Sequence, residues 1–324
     1  MILIKIIYSI AIYFKNMFYD WGVFSSYRSH IPIISVGNIT TGGTGKTPFV
    51  IFLANYFKKQ GLKPLIITRG YKRQSREQII LKSNHEYSAD YVGDEPFLMA
   101  KMCPDVDILI NQNRVEAVRW AEVSQKQYSI IILDDAFQHR AIGRDFNILL
   151  VSSLQNMKEY PPQGHLREPL KNIKRADWVV FTKTSPDHDL KQYIQKLSIP
   201  TSNAIEADSN SNAPNSVGVA FCGIGSPASF EQTLNNINCK AARNLVFKDH
   251  QKYTEKIIAE IEDALSAENS RSFITTHKDW VKLPKEFVKK YDGFYLDNNI
   301  SINQNSDFWI ELNRKLKTHQ QKIN

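Results

Sequence analysis

The fold is decided by residues 31–61, which read IPIISVGNITTGGTGKTPFVIFLANYFKKQG. The first eight of them form an apolar, β-branched run typical of a buried strand. Residues 47–61 have the apolar spacing of a helix, and Gly61 ends it. A glycine-rich loop lies between the two. Because such a loop turns backbone N–H groups toward phosphate oxygens, this order of elements predicts a P-loop nucleotide-binding fold.

The loop itself supplies the predicted nucleotide ligands. They are Thr41, Gly42, Gly43, Thr44, Gly45, Lys46 and Thr47. Lys46 is placed to reach the β- and γ-phosphates, the Thr47 hydroxyl to ligate Mg²⁺, and the helix N-terminus adds partial positive charge. The usual P-loop has glycine where this chain has Thr40, so we expect a loop of different shape.

Outward from this stretch, short apolar runs alternate with helical patterns. Further strands are predicted at 63–71, 105–110, 128–135, 145–153 and 176–183. Such continuous apolar runs are typical of parallel strands that are covered on both faces. The sequence predicts an α/β fold: a P-loop NTPase parallel sheet flanked by helices, with an N-terminal membrane-associated helix and a smaller C-terminal α/β domain. The predicted limits are 1–24 for the helix, 25–200 for the P-loop core, 201–216 for an Asn/Ser-rich linker and 217–324 for the C-terminal domain.

Composition narrows the class of protein. The chain has 324 residues, 42% of them hydrophobic and 23% charged, which is typical of a globular protein with two packed domains. Three cysteines without a C-x-x-C pair favour a reducing cytosol. The formal net charge of +8 favours anionic partners but does not choose among nucleotide, phosphorylated substrate, nucleic acid and acidic membrane.

The first 24 residues are more apolar than the rest of the chain. The charge-free run between Lys5 and Lys15 is too short to span a bilayer. At 100° per residue, Lys5, Ser9, Asn16 and Asp20 fall in one narrow stripe, with apolar side chains around the remaining circumference. This pattern predicts a helix that lies in a membrane interface, and the alternative is a helix buried against its own domain.

Two acidic pairs are candidates for chemistry. Asp134 and Asp135 follow the apolar run 130–133, at the edge where a parallel sheet would place them beside the phosphate loop. There they would hold Mg²⁺, although an Asp-Asp pair also serves as an ordinary turn. Asp94 and Glu95 precede Pro96 at a helix start, where helix capping and catalysis explain them equally well.

Several motifs together closely resemble one enzyme family, the tetraacyldisaccharide 4'-kinases (lipid A 4'-kinases). They are GNITTGGTGKTP at 37–48, RGY at 69–71, GDEP at 93–96, NRVEAV at 113–118, DDAFQHR at 134–140 and LREP at 166–169, with GIGSP, DHQKY and KDWVKL further on. The resemblance implies phosphorylation of the 4'-hydroxyl of a tetraacyldisaccharide 1-phosphate lipid A precursor by Mg-ATP. It also implies the cytoplasmic face of the inner membrane, an anionic surface reached through the N-terminal helix, with no nucleic acid and no obligatory protein partner.

The resemblance also implies roles for individual residues. Asp94 would be the base for the acceptor hydroxyl, with His250 as its partner and Lys46 at the phosphates. The metal ligands would be Thr47, Asp134, Asp135 and Glu168, and the substrate-side residues Glu95, Gln138 and His139. Two departures stand out: Ala136 replaces the usual glycine, and THKD at 276–279 replaces Thr-Glu-Lys-Asp, which makes His277 a rival to His250.

Three other classes of protein compete with the kinase. A nucleotide-switch ATPase of the partitioning or metal-insertion type has a signature lysine where this chain has Thr41. A GTPase switch usually has Asn/Thr-Lys-x-Asp after a strand, whereas TKTS at 182–185 ends in serine. A nonenzymatic membrane or nucleic-acid binder would use the basic charge but would leave the phosphate loop unexplained.

Overall fold

The structure is a computed structural model that describes residues 2–41, 43–84, 86–152, 160, 164–182, 188–206, 213–296 and 300–323. The chain forms two compact units. Unit 1 contains Met1–Ile205 and Ile300–Asn324, and unit 2 contains Glu206–Asn299.

The strands, in chain order, are β1 (Ile33–Asn38), β2 (Pro64–Thr68), β3 (Ile79–Leu81), β4 (Asp107–Ile110), β5 (Ile130–Asp134), β6 (Phe146–Val151), β7 (Trp178–Phe181), β8 (Thr201–Asn203), β9 (Ile205–Glu206), β10 (Ser216–Cys222), β11 (Lys240–Val246), β12 (Ser272–Thr276), β13 (Asp292–Leu296) and β14 (Ile300–Ser301). The helices are α1 (Ile2–Asp20), α2 (Lys46–Lys59), α3 (Ala89–Val92), α4 (Asp94–Met102), α5 (Arg114–Val123), α6 (His188–Lys196), α7 (Pro227–Asn236), α8 (Glu255–Ala267), α9 (His277–Trp280), α10 (Lys285–Lys290) and α11 (Asp307–Ile323). One 3₁₀ helix covers Leu170–Arg175.

Unit 1 is built on an eight-stranded sheet in the order β3-β4-β2-β5-β1-β6-β7-β8. Every pairing in it is parallel except that of β3 with β4. Strand β1 lies in the middle, and its register pairs Val36 with Asp134 at the end of β5. Because parallel strands share one carboxyl edge, the loop after β1 and the acidic pair after β5 are neighbours.

Both faces of this sheet are covered. On one face α2, α4 and α11 pack against side chains such as Ile34 and Ile132, and on the other α5 packs against Ile33 and Ile131. The predicted α/β class with flanking helices is confirmed, as are the predicted strands that became β1, β2, β4, β5, β6 and β7. Strands β3 and β8 were not predicted; each is only three residues long, which is too short for a clear alternation pattern.

The C-terminal segment differs from the predicted domain limits. Residues 300–324 belong to unit 1, whereas the sequence placed them in a C-terminal domain of 217–324. The physical reason is aromatic burial: Phe308 packs edge-on against Phe146 and Trp178, and Trp309 stacks on Tyr56 with 3.9 Å between ring centroids. The rest of α11 is basic and polar, so the sequence pattern did not indicate that the residues at its start are buried. Residues 207–212 of the predicted linker lie outside the described residues, and β8 and β9 occupy its beginning.

Helix α1 contacts the rest of unit 1 with its polar stripe. Asn16 and Asp20, two members of the stripe seen in the sequence, accept hydrogen bonds from Arg140. Large apolar side chains on its other sides are exposed, namely Ile7, Ile10, Tyr13 and Phe14, followed by Trp21, Val23 and Phe24. Among the described residues, no helix combines the length and the apolar character that crossing a bilayer requires.

Unit 2 has its own four-stranded sheet in the order β11-β10-β12-β13. All three pairings are parallel. Apolar clusters cover the two faces, one around Phe221 and Phe273 with α8 and α10, the other around Ile274 and Phe230 with α7. The predicted smaller α/β domain is therefore present, with the limits given by unit 2.

Candidate active site

The phosphate loop is fixed at its junction with α2. Gly45 has a left-handed backbone (φ 75°) and α2 begins directly after it at Lys46. A side chain at this glycine would be strained by that φ. The preceding Thr44 is buried: its hydroxyl accepts from Asn38 Nδ2 at 2.9 Å, and its carbonyl accepts from the Thr182 hydroxyl at 2.8 Å. The turn is therefore held by the side chain at the end of β1 and by the side chain that follows β7.

The start of the loop pairs with the segment before Arg167. Thr40 forms an isolated antiparallel bridge with Leu166, and Thr41 N–H donates to the His165 carbonyl at 2.7 Å. The Thr41 hydroxyl also lies 2.9 Å from His165 Nδ1. A β-branched residue suits such an extended stretch better than glycine does. This pairing explains why the chain has Thr40 where the usual P-loop has glycine.

The other predicted ligands in the loop are Gly42, Gly43 and Thr47. Gly42 lies outside the described residues. Gly43 has open space where a Cβ would be, since no atom lies within 4 Å of that position. Thr47 is in the first turn of α2 and is partly buried.

Asp135 is held by two cations. Arg167 Nη1 donates to its Oδ1 at 2.6 Å, and Lys46 Nζ lies 3.8 Å from the same oxygen. Burial alone would raise the pKa of Asp135, but the charges of Lys46 and Arg167 together hold it below its usual range. Asp135 also has a positive φ of 46°, so the left-handed residue of this turn is the aspartate. The buried Ala136 that follows therefore needs no glycine backbone, and the departure from the family pattern is accommodated.

Asp134 has the opposite environment. Its carboxylate is buried; Oδ2 accepts from the Thr68 hydroxyl at 2.9 Å, and Oδ1 accepts no hydrogen bond from any described residue. Burial raises the pKa of Asp134, and the negative charges of Glu95 and Asp135 raise it further. The buried Arg114 guanidinium donates to the Asp134 backbone carbonyl, not to the carboxylate. A buried carboxylate oxygen without a donor is a site where a cation is stabilised.

These features fit Mg²⁺. The described residues contain no group of three or more His, Cys, Asp or Glu that would form an all-protein metal cage. Mg²⁺ bound beside a triphosphate does not need one, because one or two carboxylates, a hydroxyl, water and phosphate oxygens complete its shell. The Asp134 Oδ1, which has no donor among the described residues, and the Thr47 hydroxyl in the first turn of α2 are oxygen ligands of the kind that this metal prefers.

Glu168 does not resemble a free metal ligand. Its Oε1 accepts from Gln138 Nε2 at 2.9 Å, and its Oε2 accepts from Asn172 at 2.7 Å and pairs with Arg175. Gln138 Nε2 also donates to the Asn38 carbonyl at 2.8 Å. Because both carboxylate oxygens have protein donors, the geometry favours a positioning role for Glu168 over the predicted metal role.

His139 lies among cations. Burial and the positive charges of Arg114, Arg144 and Lys15 together lower its pKa to about 4. Its buried Nε2 has no hydrogen-bond partner among the described residues. The ring is therefore neutral at physiological pH and presents an unpaired nitrogen close to the acidic pair.

Asp94 and Glu95 form the first turn of α4, as the sequence predicted for a helix start. The preceding Gly93 has φ 98°, and a Cβ there would come within 3.2 Å of the Tyr71 carbonyl. The turn at RGY (69–71) and the turn at GDEP (93–96) therefore touch, and only a glycine permits this approach. Both acidic side chains are partly buried.

In unit 2 a buried network fixes the turn that carries His250. His250 has φ 63°, and its N–H donates to the Gly223 carbonyl at 3.2 Å. The Gly223 N–H in turn donates to the buried Asp279 carboxylate at 2.8 Å. Lys282 pairs with Asp279 at 3.0 Å and donates to the Gln251 carbonyl at 3.1 Å, one residue after His250. The rival His277 stacks against Tyr295, with 4.3 Å between the two ring centroids.

Sequence reasoning gave no role to three residues that organise these sites. Arg167 binds Asp135, Arg114 holds the strand end at Asp134, and Asp279 anchors the His250 turn. All three stand inside motifs that carried the resemblance, so the signal was present. A basic or acidic residue in a motif does not indicate which side chain or backbone group it binds. That partner is known only from the folded structure.

Known proteins of one family are similar to this chain over most of its length. The family described as tetraacyldisaccharide-1-P 4'-kinase matches residues 1–317. A tetraacyldisaccharide 4'-kinase from Chlorobaculum parvum is 34% identical over 299 residues, covering 86% of this chain and 82% of the relative. One from Aquifex aeolicus is 33% identical over 287 residues, covering 86% of this chain and 87% of the relative. The crystal structure of LpxK from Aquifex aeolicus in complex with ATP superposes with a TM-score of 0.78 at 29% identity, covering 97% of this chain and 98% of that one.

Proposed function

The chain belongs to the tetraacyldisaccharide-1-P 4'-kinase family, and we propose that unit 1 directs the terminal phosphate of ATP, bound around Lys46, at a membrane-presented sugar hydroxyl. The protein is an ATP-dependent kinase that phosphorylates the 4'-hydroxyl of a tetraacyldisaccharide 1-phosphate lipid A precursor. A switch ATPase of the partitioning type is not favoured, since the family match covers residues 1–317. The residue roles and the membrane contact are our proposals.

One observation carries the proposed chemistry: the two carboxylates after β5 have opposite environments. Asp135 is balanced by Lys46 and Arg167, whereas Asp134 keeps one buried oxygen without a donor. Phosphoryl transfer depends on positioning and charge stabilisation more than on covalent steps. Lys46, held by Asp135, provides positive charge at the phosphate loop. The Asp134 oxygen that has no donor among the described residues provides a position for the metal.

The roles follow from these positions. Lys46 holds the β- and γ-phosphates; Thr47 and Asp134 hold the metal, and Asp135 orients Lys46. Bound Mg²⁺ neutralises charge that develops on the phosphate oxygens. The backbone N–H groups from Gly43 to Thr47 orient the triphosphate, and the left-handed turn at Gly45 aims them inward.

For the acceptor side we propose Asp94 as the base. A carboxylate at the start of α4, next to the sheet edge that carries Asp134, is suited to accept the proton of a sugar hydroxyl. His250, on its anchored turn in unit 2, is the proposed partner that orients Asp94 when substrate is bound. Glu95, Gln138 and His139 are proposed to line the substrate side.

The lipid substrate requires contact with a membrane. Each acyl CH₂ that leaves the bilayer costs about 0.8 kcal/mol, so the enzyme must come to the lipid. We propose that the exposed apolar side chains of α1, with Trp21 and Phe24 as interfacial anchors, enter the anionic cytoplasmic surface of the inner membrane. Exposed Lys171 and Lys174 lie in the 3₁₀ helix after Glu168 and supply cations for anionic lipid.

Mass spectrometry of the lipid product tests the residue roles. The purified protein with Mg-ATP should add one phosphoryl group to the 4' position of the precursor, and Asp94→Asn should abolish this while it still binds ATP. ATP hydrolysis should stay low until the acceptor lipid is added, because a switch ATPase would not need one. If Asp94→Asn retains wild-type turnover, Asp94 is not the base.

Vesicle flotation tests the membrane contact separately. Ile10→Ser combined with Phe14→Ser should reduce binding to vesicles that contain anionic phospholipid, since both side chains are exposed on α1. The matched control is Val123→Ser, an exposed apolar residue (82% exposed) at the end of α5. Equal flotation of the double variant and the control would refute the proposed surface.

A further inference from the structure

One side of α1, formed by the polar stripe and the adjacent Tyr8 and Lys15, meets the loops around Asp135. Lys15 Nζ donates to the Gln138 carbonyl at 3.2 Å, and the Tyr8 hydroxyl donates to the Arg167 carbonyl at 3.1 Å. Asn16 Nδ2 lies 3.5 Å from Glu168 Oε2. Three side chains of one helix therefore contact two loops, the one after the acidic pair and the one that supplies Arg167.

The contacted residues lead directly to the phosphate site. Arg167 binds Asp135 at 2.6 Å, and Asp135 lies 3.8 Å from Lys46. The Gln138 amide donates to the carbonyl of Asn38, whose own side chain donates to Thr44 in the phosphate loop. Both chains of contacts, from Tyr8 and from Lys15, reach the nucleotide-binding loop through two intermediate residues.

Additional contacts fix the rotation of α1 about its axis. Arg140 donates to the Asn16 carbonyl at 2.9 Å and to Asp20 Oδ1 at 2.8 Å. Arg175, the partner of Glu168, donates to Asn16 Oδ1 at 3.1 Å. Because these bonds occupy the polar stripe, the apolar side chains can only point away from unit 1, as the exposure of Ile10 and Phe14 shows.

We propose that α1 is a positioning element of the active site as well as a membrane contact: Tyr8 and Lys15 hold the Arg167 and Gln138 loops in the geometry that turnover requires. This inference rests on the proposed function, because it assigns α1 a part in that same phosphoryl transfer. One helix then presents its two faces to two tasks. The apolar face contacts lipid, and the polar face holds the loops around Asp135.

The environment of Lys15 supports a bond to the protein over a purely lipid role. Partial burial of its ammonium lowers the pKa of Lys15, Glu168 raises it, and the nearby cations Arg175 and Arg140 lower it again. The partly buried ammonium donates to the Gln138 carbonyl, so this side chain is bound to a loop of unit 1.

Steady-state kinetics on detergent-dispersed substrate tests the proposal, because no bilayer is present. Lys15→Met keeps most of the side-chain length and removes the donor, and we expect kcat to fall roughly tenfold with a smaller change in the KM for lipid. Lys15→Arg, which restores a donor, should recover most of the activity. The matched control is Lys59→Met, an exposed lysine at the end of α2, which should keep wild-type kcat.

Tyr8→Phe provides a second, milder variant. It removes only the hydroxyl that donates to Arg167 and keeps the ring for lipid contact, so kcat should fall severalfold while vesicle flotation is unchanged. Thermal melting of both variants checks folding, and an unchanged Tm with reduced kcat is the expected result.

Three outcomes would overturn the proposal. Wild-type kcat in both variants would show that the contacts do not position the loops. Loss of vesicle binding with normal detergent activity would make Lys15 a lipid anchor only. A fall in Tm that accounts for the whole activity loss would make the contacts structural only. Failure of the proposed function gives a different result from failure of the positioning role. In the first case the wild-type protein itself would form no product in detergent.

Discussion

Replacing Asp134 by asparagine should make the metal-free protein more stable while it abolishes phosphoryl transfer. The wild-type carboxylate is buried, its Oδ1 has no donor among the described residues, and Glu95 and Asp135 are negative neighbours. Asparagine keeps the shape and keeps an oxygen for the Thr68 hydroxyl, but it carries no charge. The same change removes the ligand that we assign to Mg²⁺.

The magnitude follows from the unpaired oxygen. A buried charged acceptor without a donor costs about 3 kcal/mol, and the unpaired amide N–H₂ of asparagine costs roughly 1–2 kcal/mol, which leaves a net gain of about 1–2 kcal/mol. For a cooperative unit of the size of unit 1, each kcal/mol shifts Tm by roughly 2–4 °C. We therefore expect Asp134→Asn to melt about 2–8 °C above wild type at pH 8 in EDTA.

The gain should depend on pH in a defined direction. Because the folded-state pKa of Asp134 is raised, the folded protein takes up a proton that the unfolded chain releases. The wild type therefore loses stability as pH rises from the ordinary aspartate range near 4 toward the raised pKa. At pH 5 the protonated carboxyl resembles asparagine, and the difference in Tm between the two proteins should nearly vanish.

Thermal melting of both proteins at pH 5 and pH 8, with EDTA or with Mg-ATP, measures these effects. Mg-ATP should raise the Tm of wild type more than that of the variant. The control is Asp145→Asn, because Asp145 accepts from Ile33 N–H at 2.8 Å and pairs with His319 at 2.7 Å, so its loss should destabilise the protein. An Asp134→Asn protein less stable than wild type in EDTA at pH 8 would refute the reasoning.

Three further predictions follow from the sites. Asp94→Ala should lower kcat far more than ATP affinity, whereas Lys46→Ala should weaken both; titration calorimetry with kinetics separates them, and equal losses of affinity would contradict the roles. Because the pKa of His139 is near 4 in the folded protein, the unfolded chain takes up a proton first as pH falls below about 6.5. The free energy of unfolding should therefore fall by up to about 1.4 kcal/mol per pH unit between about 6.5 and 4. His139→Gln should flatten that slope in melts from pH 7 to 5, and an unchanged slope would show that the ring is not buried neutral. Asp279→Asn should destabilise unit 2 by about 3 kcal/mol, since it removes the charge that balances the buried Lys282 ammonium. It should also lower kcat because Asp279 anchors the His250 turn, and denaturant titration and steady-state kinetics measure the two losses.

The central part of unit 1 could be predicted because its elements are locally specified. The apolar runs that became β1 and β5 are long enough to identify, and glycine, lysine and threonine at the start of α2 have backbone or charge properties that few other residues share. Order along the chain and the rule of shared carboxyl edges then bring the acidic pair, through Asp135, next to Lys46. Local pattern was sufficient for this much.

The remainder depends on long-range packing that local pattern does not encode. The edge strand β3 is too short to show a period, and Phe308 and Trp309 lie in a segment whose average composition is polar. The predicted membrane helix had the right polar stripe, but the sequence did not show that Asn16 in that stripe contacts Arg140. A polar stripe has the same residue types whether it faces water or protein, so the sequence does not distinguish the two cases.

Calorimetric titration of the intact protein with ATP, with and without Mg²⁺, tests the central claim most directly. We expect ATP binding that depends on Mg²⁺ in wild type, and loss of that dependence in Asp134→Asn with residual metal-free binding retained. Equal ATP affinity with and without Mg²⁺ in the wild-type protein would contradict the assignment of the acidic pair and the phosphate loop to one metal-nucleotide site.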